Sequence, residues 1–230
     1  MAKPLRIFST LAVQGAMPAL VARYEEMTGV TLAIDFAPTN GLMARIDAGE
    51  TADVAILTRE GVEQLAARGV LRSESVSDVA RSYVGVAVRA GAAKPDIGSP
   101  DTLKAALLAA KSIAYSRIGA SGILFAGLIR QLGIADAVNA KATIIPAGLT
   151  GELAARGEVE LAVQQVSELM VVPGVDVVGP LPAPLQSPAM FSAGVFASSD
   201  MPDEAMRLVK FLASPEAAGV LEAAGLVPVR

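Results

Sequence analysis

The sequence predicts an α/β protein of two lobes, and three observations support this prediction. First, strand, polar turn, helix and closing glycine recur about every 25 to 30 residues, which is typical of β-α-β units. Second, two longer apolar strands, at 79–89 and 191–197, interrupt the alternation and divide it into two blocks. Third, 53% hydrophobic and 18% charged residues in a chain of 230 are enough for one or two buried cores. Each lobe is expected to be a mainly parallel sheet flanked by helices.

The first lobe is expected to begin with three such units. Apolar stretches at 4–8, 30–37 and 53–57 predict strands, and each is followed by a polar turn and a helical pattern. Gly29 and Gly69 are expected to end the first and third helices. Because ligands bind such sheets beyond the carboxyl ends of their strands, the polar residues at those ends are candidates for a site. These residues are Ser9, Thr10, Thr39, Asn40 and Thr58.

The second lobe is expected to resume the pattern after Gly91. Its predicted strands and helices alternate until a Pro-rich connector at 180–188. The strands are predicted at 112–116, 142–146 and 161–163, and the helices at 100–110, from near Ser121 to Gly133, and around 153–156.

Two further helices, at 202–213 and 215–224, follow the second long strand and are expected to return to the first lobe. Lobe 1 is therefore predicted over 1–82 and 192–230, and lobe 2 over 83–191, with a two-stranded hinge. The ligand would then lie in the cleft between the lobes, a common place for small-molecule sites.

The strongest candidate for a binding site is the turn that begins at Ser116. Ser116 and Ser121 supply O–H donors, Gly119 and Gly122 let the backbone come close, and the following helix offers N–H groups with partial positive charge. Arg117 adds a planar guanidinium suited to a carboxylate. The alternative is an ordinary strand-to-helix turn with a serine N-cap.

Four polar loops carry hydrogen-bond donors at the same end of their predicted strands. They are Ser9-Thr10, residues 38–41, residues 116–122 and Gln164-Gln165, with Gln164 taken as the ligand residue of the last. Each alone is explained by helix capping or turn chemistry, but together they favour an anion site. Glu168 is expected to have a structural role, since a carboxylate in such a site would repel the ligand.

Composition excludes several classes of function. The chain has no cysteine and no histidine, so a disulfide framework, a thiolate nucleophile, a Ser-His dyad and a soft-metal site are all ruled out. A net charge of −4 argues against nucleic acid as a partner. With no P-loop, no G-x-G-x-x-G after the first strand and no acidic cluster of cation-binding spacing, no cofactor and no metal are predicted.

The sequence also bears on location. No apolar run reaches the roughly 20 residues that a membrane span needs, so no membrane insertion is expected. The first ten residues lack the extended apolar core of a secretory signal. The chain as written is therefore expected in the cytoplasm, or in the periplasm if it is a mature form from which a signal has been removed.

Five segments together resemble one known family over nearly the whole chain. They are Ser9-Thr10 at the first helix, Ala52-Asp53-Val54 after a Gly-Glu turn, Gly119-Ala120-Ser121-Gly122 before a long helix, residues 157–168, and residues 211–217 with Gly225-Leu226. In these segments the chain resembles the type II periplasmic solute-binding proteins of the molybdate-binding-like group. The resemblance implies two α/β lobes, a hinge, and an oxyanion held between the lobes by hydroxyls and amides.

Two departures from that family leave a second function open. Members that bind molybdate use neutral donors, so Arg117 favours a ligand with a carboxylate; members that serve importers are exported, and no export signal is evident here. The fold is also similar to that of aconitate isomerase, an enzyme that moves a double bond in a tricarboxylate by allylic proton transfer.

Two functions therefore follow from the sequence. The favoured one is binding of a small anion, either an oxyanion or a di- or tricarboxylate, by a solute-binding protein that serves an importer with an ABC permease or a related sensor. The alternative is a cytoplasmic isomerase of an unsaturated carboxylic acid, in which Arg117 and Ser121 anchor carboxylates while a hydroxyl, Tyr or Glu moves the proton. Without histidine, a base near neutral pH would have to be a carboxylate with a shifted pKa or a similar group.

Overall fold

The computed structural model describes residues 3–186 and 188–229, which form two compact units. Unit 1 contains the described residues up to Ser82 and from Ala189 onward, and unit 2 those from Tyr83 to Pro188. The return to unit 1 thus falls at Ala189, three residues before the predicted boundary, because the strand that re-enters unit 1 begins there. The hinge between the lobes stays a prediction.

The strands and helices are numbered here in chain order. The strands are β1 (Leu5–Ser9), β2 (Leu32–Phe36), β3 (Val54–Thr58), β4 (Ser77–Ser82), β5 (Val84–Arg89), β6 (Ile113–Ser116), β7 (Ala142–Ile145), β8 (Leu161–Gln165), β9 (Val175–Pro180), β10 (Ala189–Val195) and β11 (Val227–Pro228). The helices are α1 (Met17–Thr28), α2 (Thr39–Asp47), α3 (Arg59–Ala67), α4 (Pro100–Ala109), α5 (Ala120–Gln131), α6 (Ala135–Asn139), α7 (Thr150–Ala155), α8 (Val166–Met170), α9 (Pro202–Leu212) and α10 (Pro215–Ala223).

Each unit is built on one sheet. In unit 1 the strand order is β11-β4-β10-β3-β1-β2, with β1 parallel to both β2 and β3. In unit 2 the order is β7-β6-β8-β5-β9, with β6 parallel to both β7 and β8. The α/β fold of two helix-flanked sheets is confirmed.

Most strands of each sheet run in one direction, as predicted, but both sheets also contain antiparallel neighbours. In unit 1, β10 runs antiparallel to β3 and β4, and β11 antiparallel to β4; in unit 2, β5 runs antiparallel to β8 and β9. The chain leaves unit 1 through β4 and returns through β10, and it enters unit 2 through β5 and leaves through β9. In each unit one of these two strands carries the chain in and the other carries it out. The two strands are neighbours in the sheet and run antiparallel.

The long strand predicted at 79–89 is two strands. It is interrupted at Tyr83, so that β4 belongs to the sheet of unit 1 and β5 to that of unit 2. The short elements α6, α8, β9 and β11 were not predicted, because elements of two to six residues give little periodicity to recognise.

Helices cover both faces of each sheet. In β1, Leu5 and Ile7 pack in one cluster with residues of α1 and α9, whereas Phe8 packs in another with residues of α2 and α3. In β8, Leu161 and Val163 join a cluster with α5, and Ala162 joins one with α7. Both faces of the parallel strands are buried in this way. The buried polar side chains of these strands therefore lie at the strand ends.

Ordinary capping chemistry sets two of the helix boundaries. Gly29 ends α1 with φ at 71°, in the left-handed region that favours glycine. Ser99 and Thr102 form a capping box at the start of α4. Over the described part of the chain, none of the helices combines the length and the apolar character that crossing a bilayer requires.

Candidate functional site

The edge formed by the carboxyl ends of β1, β2 and β3 is called here the unit 1 edge. Ser9 ends β1 and lies opposite Ile56 of β3, and the Thr10 N–H donates to the Ile56 carbonyl at 2.8 Å. Thr39 begins α2 directly after β2, and Thr58 ends β3. The structure therefore brings together Ser9, Thr10, Thr39 and Thr58, as the alternation of strands and helices predicts.

The hydroxyl groups of the unit 1 edge form hydrogen bonds mainly with nearby backbone groups. Thr39 Oγ1 accepts from the Thr58 N–H at 3.2 Å, Thr58 Oγ1 accepts from the Gly61 N–H at 3.4 Å, and Ser9 Oγ donates to the Thr10 carbonyl at 3.2 Å. Ser9, Thr10 and Thr39 are buried. Thr39 and Thr58 act as acceptors in these bonds, so each can still donate its O–H hydrogen to an anion.

Asn40 and Gln14 complete this edge. Asn40 is exposed on the first turn of α2, next to Thr39. Gln14 ends a short 3-10 turn, Leu11–Val13, that follows β1, and its Oε1 is buried without a hydrogen-bond partner among the described residues. Gln14 was not among the site residues predicted from the sequence. Its only signal is a polar side chain inside an otherwise apolar stretch.

The edge formed by the carboxyl ends of β6 and β8 is called here the unit 2 edge. Ser116 ends β6 and is 4% exposed, and its Oγ has no hydrogen-bond partner in the described part of the chain. A Cβ at Gly122 would lie 1.8 Å from the Ser116 carbonyl oxygen, and one at Gly119 would lie 2.6 Å from Ser116 Oγ. Only glycine at these two positions lets the start of α5 lie so close to Ser116.

The N-terminus of α5 has no side-chain cap. Its N-cap residue is Gly119, with an extended backbone, and not a serine, so the alternative of a serine N-cap was wrong. Ser121 is the second residue of the helix and is buried. The first-turn N–H groups of an uncapped helix carry partial positive charge and seek an acceptor.

Arg117 and Tyr115 lie on either side of Ser116 in the chain. The Arg117 side chain is exposed, and its guanidinium has no hydrogen bond or ion pair with any residue that the structure describes. Tyr115 instead lies in the core, where its phenol donates to Asn139 Oδ1 at 2.7 Å and burial raises its pKa. The charge at this edge therefore comes from Arg117.

The side chains of Gln164 and Gln165, the last two residues of β8, differ in their hydrogen bonding. Gln164 Oε1 accepts from the Thr150 N–H at 2.7 Å and from Thr150 Oγ1 at 2.9 Å, and its Nε2 donates to the Gly148 carbonyl at 3.0 Å. Its amide thus ties the turn before α7 to β8, and its ligand role stays a prediction. Gln165 is 2% exposed, and neither its Nε2 nor its Oε1 has a partner among the described residues.

Glu168 lies at the third position of α8 and is buried. Burial raises its pKa to about 7, although the Gln164 side chain and the Gln165 N–H both donate to its carboxylate and act in the opposite direction. The bond to the N-cap residue Gln165 is half of a capping box, in agreement with the expected structural role. A carboxyl with this pKa exchanges its proton near neutral pH.

The buried polar atoms that lack partners occupy the same kind of position in each unit. Among the described residues they belong to Gln14, Ser116 and Gln165, each of which ends or closely follows a parallel strand: β1, β6 or β8. More than nine in ten buried polar groups in proteins are hydrogen-bonded. Exceptions confined to the carboxyl ends of parallel strands indicate where a ligand would supply the missing partners.

A separate cavity in unit 2, of about 550 Å³, lies at the other end of β8. It is lined mainly by alanine and other apolar side chains, with Arg89 and Glu160 as its charged residues. The buried polar atoms without partners do not line it. The buried polar atoms that would recognise an anion are therefore at the unit 2 edge and not in this cavity, whose arginine, Arg89, is exposed.

Comparison with known proteins finds a matching family and a relative of similar sequence. The family described as bacterial extracellular solute-binding proteins matches residues 5–227. An aconitate isomerase from Pseudomonas sp. is 36% identical over 230 residues, which covers 98% of this chain and 88% of that protein.

Two solved structures share the fold at lower identity. The periplasmic molybdate-binding protein of Azotobacter vinelandii superposes with a TM-score of 0.84 at 20% identity, covering 98% of this chain and 100% of that one. The sulfate-binding protein SubI of Mycobacterium tuberculosis H37Rv gives 0.81 at 16% identity, covering 99% and 88%. The resemblance drawn from the sequence is confirmed. Since the family match extends from β1 to β11, this chain belongs to the bacterial extracellular solute-binding proteins.

Proposed function

We propose that this protein binds a small di- or tricarboxylate anion. The observation that carries the proposal is the start of α5, where the helix N-terminus, Ser116 Oγ and the Arg117 guanidinium occur within a few residues and none has a side-chain partner in the part of the chain that the structure describes. Helix N–H groups and a hydroxyl suit any oxyanion, whereas a guanidinium pairs with a carboxylate through two parallel hydrogen bonds. Arg117 therefore favours a carboxylate over a metal oxyanion.

The comparisons support the anionic ligand and, more narrowly, the carboxylate. Two structures of the same fold are named for the binding of molybdate and of sulfate, and the relative at 36% identity is named for an isomerase of a tricarboxylate. As a member of the solute-binding family, the protein would pass its ligand to an ABC permease or a related sensor. That partner requires export to the periplasm, which is part of this proposal.

Isothermal titration calorimetry tests the proposed function. Di- and tricarboxylates are expected to bind, and Arg117→Ala should weaken their binding about tenfold to a hundredfold, as for the loss of a charge-assisted pair. Molybdate, tungstate and sulfate, titrated in parallel, should bind more weakly and respond less to the substitution.

The matched control is Arg89→Ala. Arg89 is also an exposed arginine of unit 2 without a partner among the described residues, but it ends β5, which runs antiparallel to β8, so it lies at the opposite end of the sheet. Carboxylate affinity should be the same in this variant as in the wild type. Silence across the whole carboxylate panel, or equal affinities of the wild type and Arg117→Ala, would remove the proposal.

A second candidate function is isomerisation of an unsaturated carboxylic acid. The observation in its favour is Glu168, a buried carboxyl at the unit 2 edge whose pKa is raised to about 7, together with the 36% identity to aconitate isomerase. In this reaction a base removes a proton from the carbon next to the double bond, the double bond shifts by one position, and a proton returns to the far carbon. A carboxyl with a pKa near 7 can act in both steps.

Proton NMR in D₂O distinguishes the two candidates. With cis- or trans-aconitate, an isomerase would interconvert the two acids and incorporate deuterium, and Glu168→Gln would stop the exchange while leaving binding in place. Binding without deuterium incorporation over many hours would remove aconitate as a substrate and leave the binding function.

A further inference from the structure

Gln165 is the least satisfied buried side chain of the unit 2 edge. Both its Nε2, a donor, and its Oε1, an acceptor, are buried without a partner among the described residues. Interchanging the oxygen and nitrogen of the amide would not change this, since both positions are unpartnered. A group that completes this amide must therefore offer an acceptor and a donor together.

The position of Gln165 relates it to the α5 side of the sheet. Leu161 and Val163 of β8 pack in the cluster that contains Phe125 of α5, whereas Ala162 packs on the other face with α7. Side chains alternate along a strand, so Gln165 falls on the same face as Leu161 and Val163. It also ends β8, the parallel neighbour of the strand that Ser116 ends.

Ser116 ends the adjacent parallel strand, and among the described residues both side chains keep unpartnered polar atoms. By the same alternation Ser116 falls on the opposite face from Tyr115, which packs with Phe125, so the first turn of α5, close to Ser116 at Gly119 and Gly122, is what relates it to the α5 side.

The chemistry of Ser116 and Gln165 differs. Ser116, the N–H groups of α5 and Arg117 can all donate to a carboxylate, but Gln165 Oε1 can only accept. Molybdate, sulfate and fully ionised carboxylates have acceptors alone and leave that oxygen unpaired.

We propose that Gln165 selects a carboxylate ligand that also bears a hydroxyl group. The hydroxyl oxygen accepts from Gln165 Nε2, and its hydrogen is donated to Gln165 Oε1, while the carboxylates take the donors near Ser116. The inference rests on the proposed carboxylate binding and adds the substrate class, a hydroxycarboxylate. Neighbouring Gln164 cannot take this role in the same way, because its amide is already bonded to Gly148 and Thr150.

Matched pairs of ligands test the proposal directly. Citrate and tricarballylate differ only in one hydroxyl, as do malate and succinate. The wild-type protein should bind the hydroxylated member of at least one pair ten times or more tightly, because a site with buried polar groups rejects an analogue that leaves them unpaired. Gln165→Leu should reduce that ratio to about one.

Gln131→Leu is the matched control. Gln131 is also a glutamine of unit 2, but it is exposed at the C-terminal end of α5, away from the unit 2 edge, so its loss should keep the preference for the hydroxyl. Thermal unfolding should show Gln165→Leu to be as stable as the wild type, since the substitution removes an unsatisfied amide.

The outcomes separate this inference from the function it rests on. If carboxylates bind but the wild type does not distinguish either pair, the selection by Gln165 is wrong and the proposed binding stands. If the preference persists in Gln165→Leu, the hydroxyl is recognised elsewhere and the inference is likewise wrong. If no carboxylate binds at all, both proposals fail. The comparison within the wild type needs no variant, so it remains decisive should Gln165→Leu not fold.

Discussion

The two edges use similar polar residues in opposite ways. At the unit 1 edge, Thr39 and Thr58 are bonded into the backbone around them, and Ser9 donates to its neighbouring carbonyl. At the unit 2 edge, Ser116 Oγ and the Gln165 amide have no partners among the described residues. The three hydroxyl groups of the first edge are hydrogen-bonded, with Gln14 Oε1 as the exception there, whereas the Ser116 hydroxyl and the Gln165 amide of the second edge are not, as far as the described residues go.

The buried carboxyl groups of the two units both accept hydrogen bonds but differ in their position relative to the edge. In unit 1, Asp53 precedes β3, at the end of the strand away from the edge, and it accepts from the Arg6 N–H at 2.8 Å and from Ser199 Oγ at 2.6 Å. In unit 2, Glu168 follows β8 at the edge itself, and burial raises its pKa to about 7. A satisfied edge adds stability and rigid geometry, whereas an unsatisfied edge costs stability and gains it back when a ligand binds.

The largest expected effect compares two glycines at the same helical position. Gly122 is the third residue of α5 and Gly41 the third residue of α2. A Cβ at Gly122 would lie 1.8 Å from the Ser116 carbonyl oxygen, whereas one at Gly41 would meet nothing closer than 3.9 Å. Gly122→Ala should lower the free energy of unfolding by about 3 kcal/mol or more, since backbone must move.

Gly41→Ala is the control for this substitution. It should raise the free energy of unfolding by about 0.5 to 1 kcal/mol, because alanine is the better helix former and fits without a clash. Urea unfolding of the two variants measures both changes. If Gly122→Ala were as stable as the wild type, the close approach of α5 to Ser116 would not exist, and the contrast between the edges would lose its main structural support.

The contrast also marks the limit of what the sequence could predict. Repeated alternation of strand, turn and helix was enough to place Ser9, Thr39 and Ser116 at strand ends, because the edge of a parallel sheet follows from topology alone. That pattern could not predict which side chain, Gln164 or Gln165, is available to bind a ligand. The answer depends on Thr150, distant in sequence, whose N–H and hydroxyl occupy the Gln164 amide.

At the level of the fold, the strand prediction was wrong where the chain passes from one unit to the other. The stretch around Tyr83 contains no proline or other turn signal, so the break between β4 and β5 was not foreseen. The antiparallel pairing of β10 and β5 was missed for a related reason. Strand direction depends on the partner strand, which local periodicity does not report.

Glu168 provides the second test, through the pH dependence of stability. Its folded-state pKa of about 7 lies above the ordinary value of 4.5, so the folded protein holds a proton that the unfolded chain has released between these values. The contribution of Glu168 to the free energy of unfolding should therefore fall as pH rises from about 4.5 to about 7 and then level off. The full change is on the order of 3 kcal/mol, at about 1.4 kcal/mol per unit.

Glu168→Gln should abolish this fall and make the variant more stable than the wild type at pH 8, since its amide oxygen can still accept from the Gln165 N–H. Urea unfolding of both proteins across the pH range measures the difference. The exposed Glu158, whose pKa Arg156 lowers, is the control, and Glu158→Gln should keep the wild-type profile. Parallel profiles of the wild type and Glu168→Gln would mean that unit 2 holds Glu168 ionised.

The smallest expected effects separate stability from binding at the level of single hydroxyl groups. Thr39→Val keeps the shape of the side chain but removes the acceptor of the Thr58 N–H, so it should cost about 1 kcal/mol of stability. Ser116→Ala removes a hydroxyl with no partner among the described residues, so stability should stay the same or rise by up to about 1 kcal/mol, while carboxylate affinity falls severalfold. Thermal unfolding and calorimetry on the same preparations give both numbers. Because the two substitutions each remove one hydroxyl, equal losses of stability would show that Ser116 is bonded in solution, and the distinction between a satisfied and an unsatisfied edge would then be untenable.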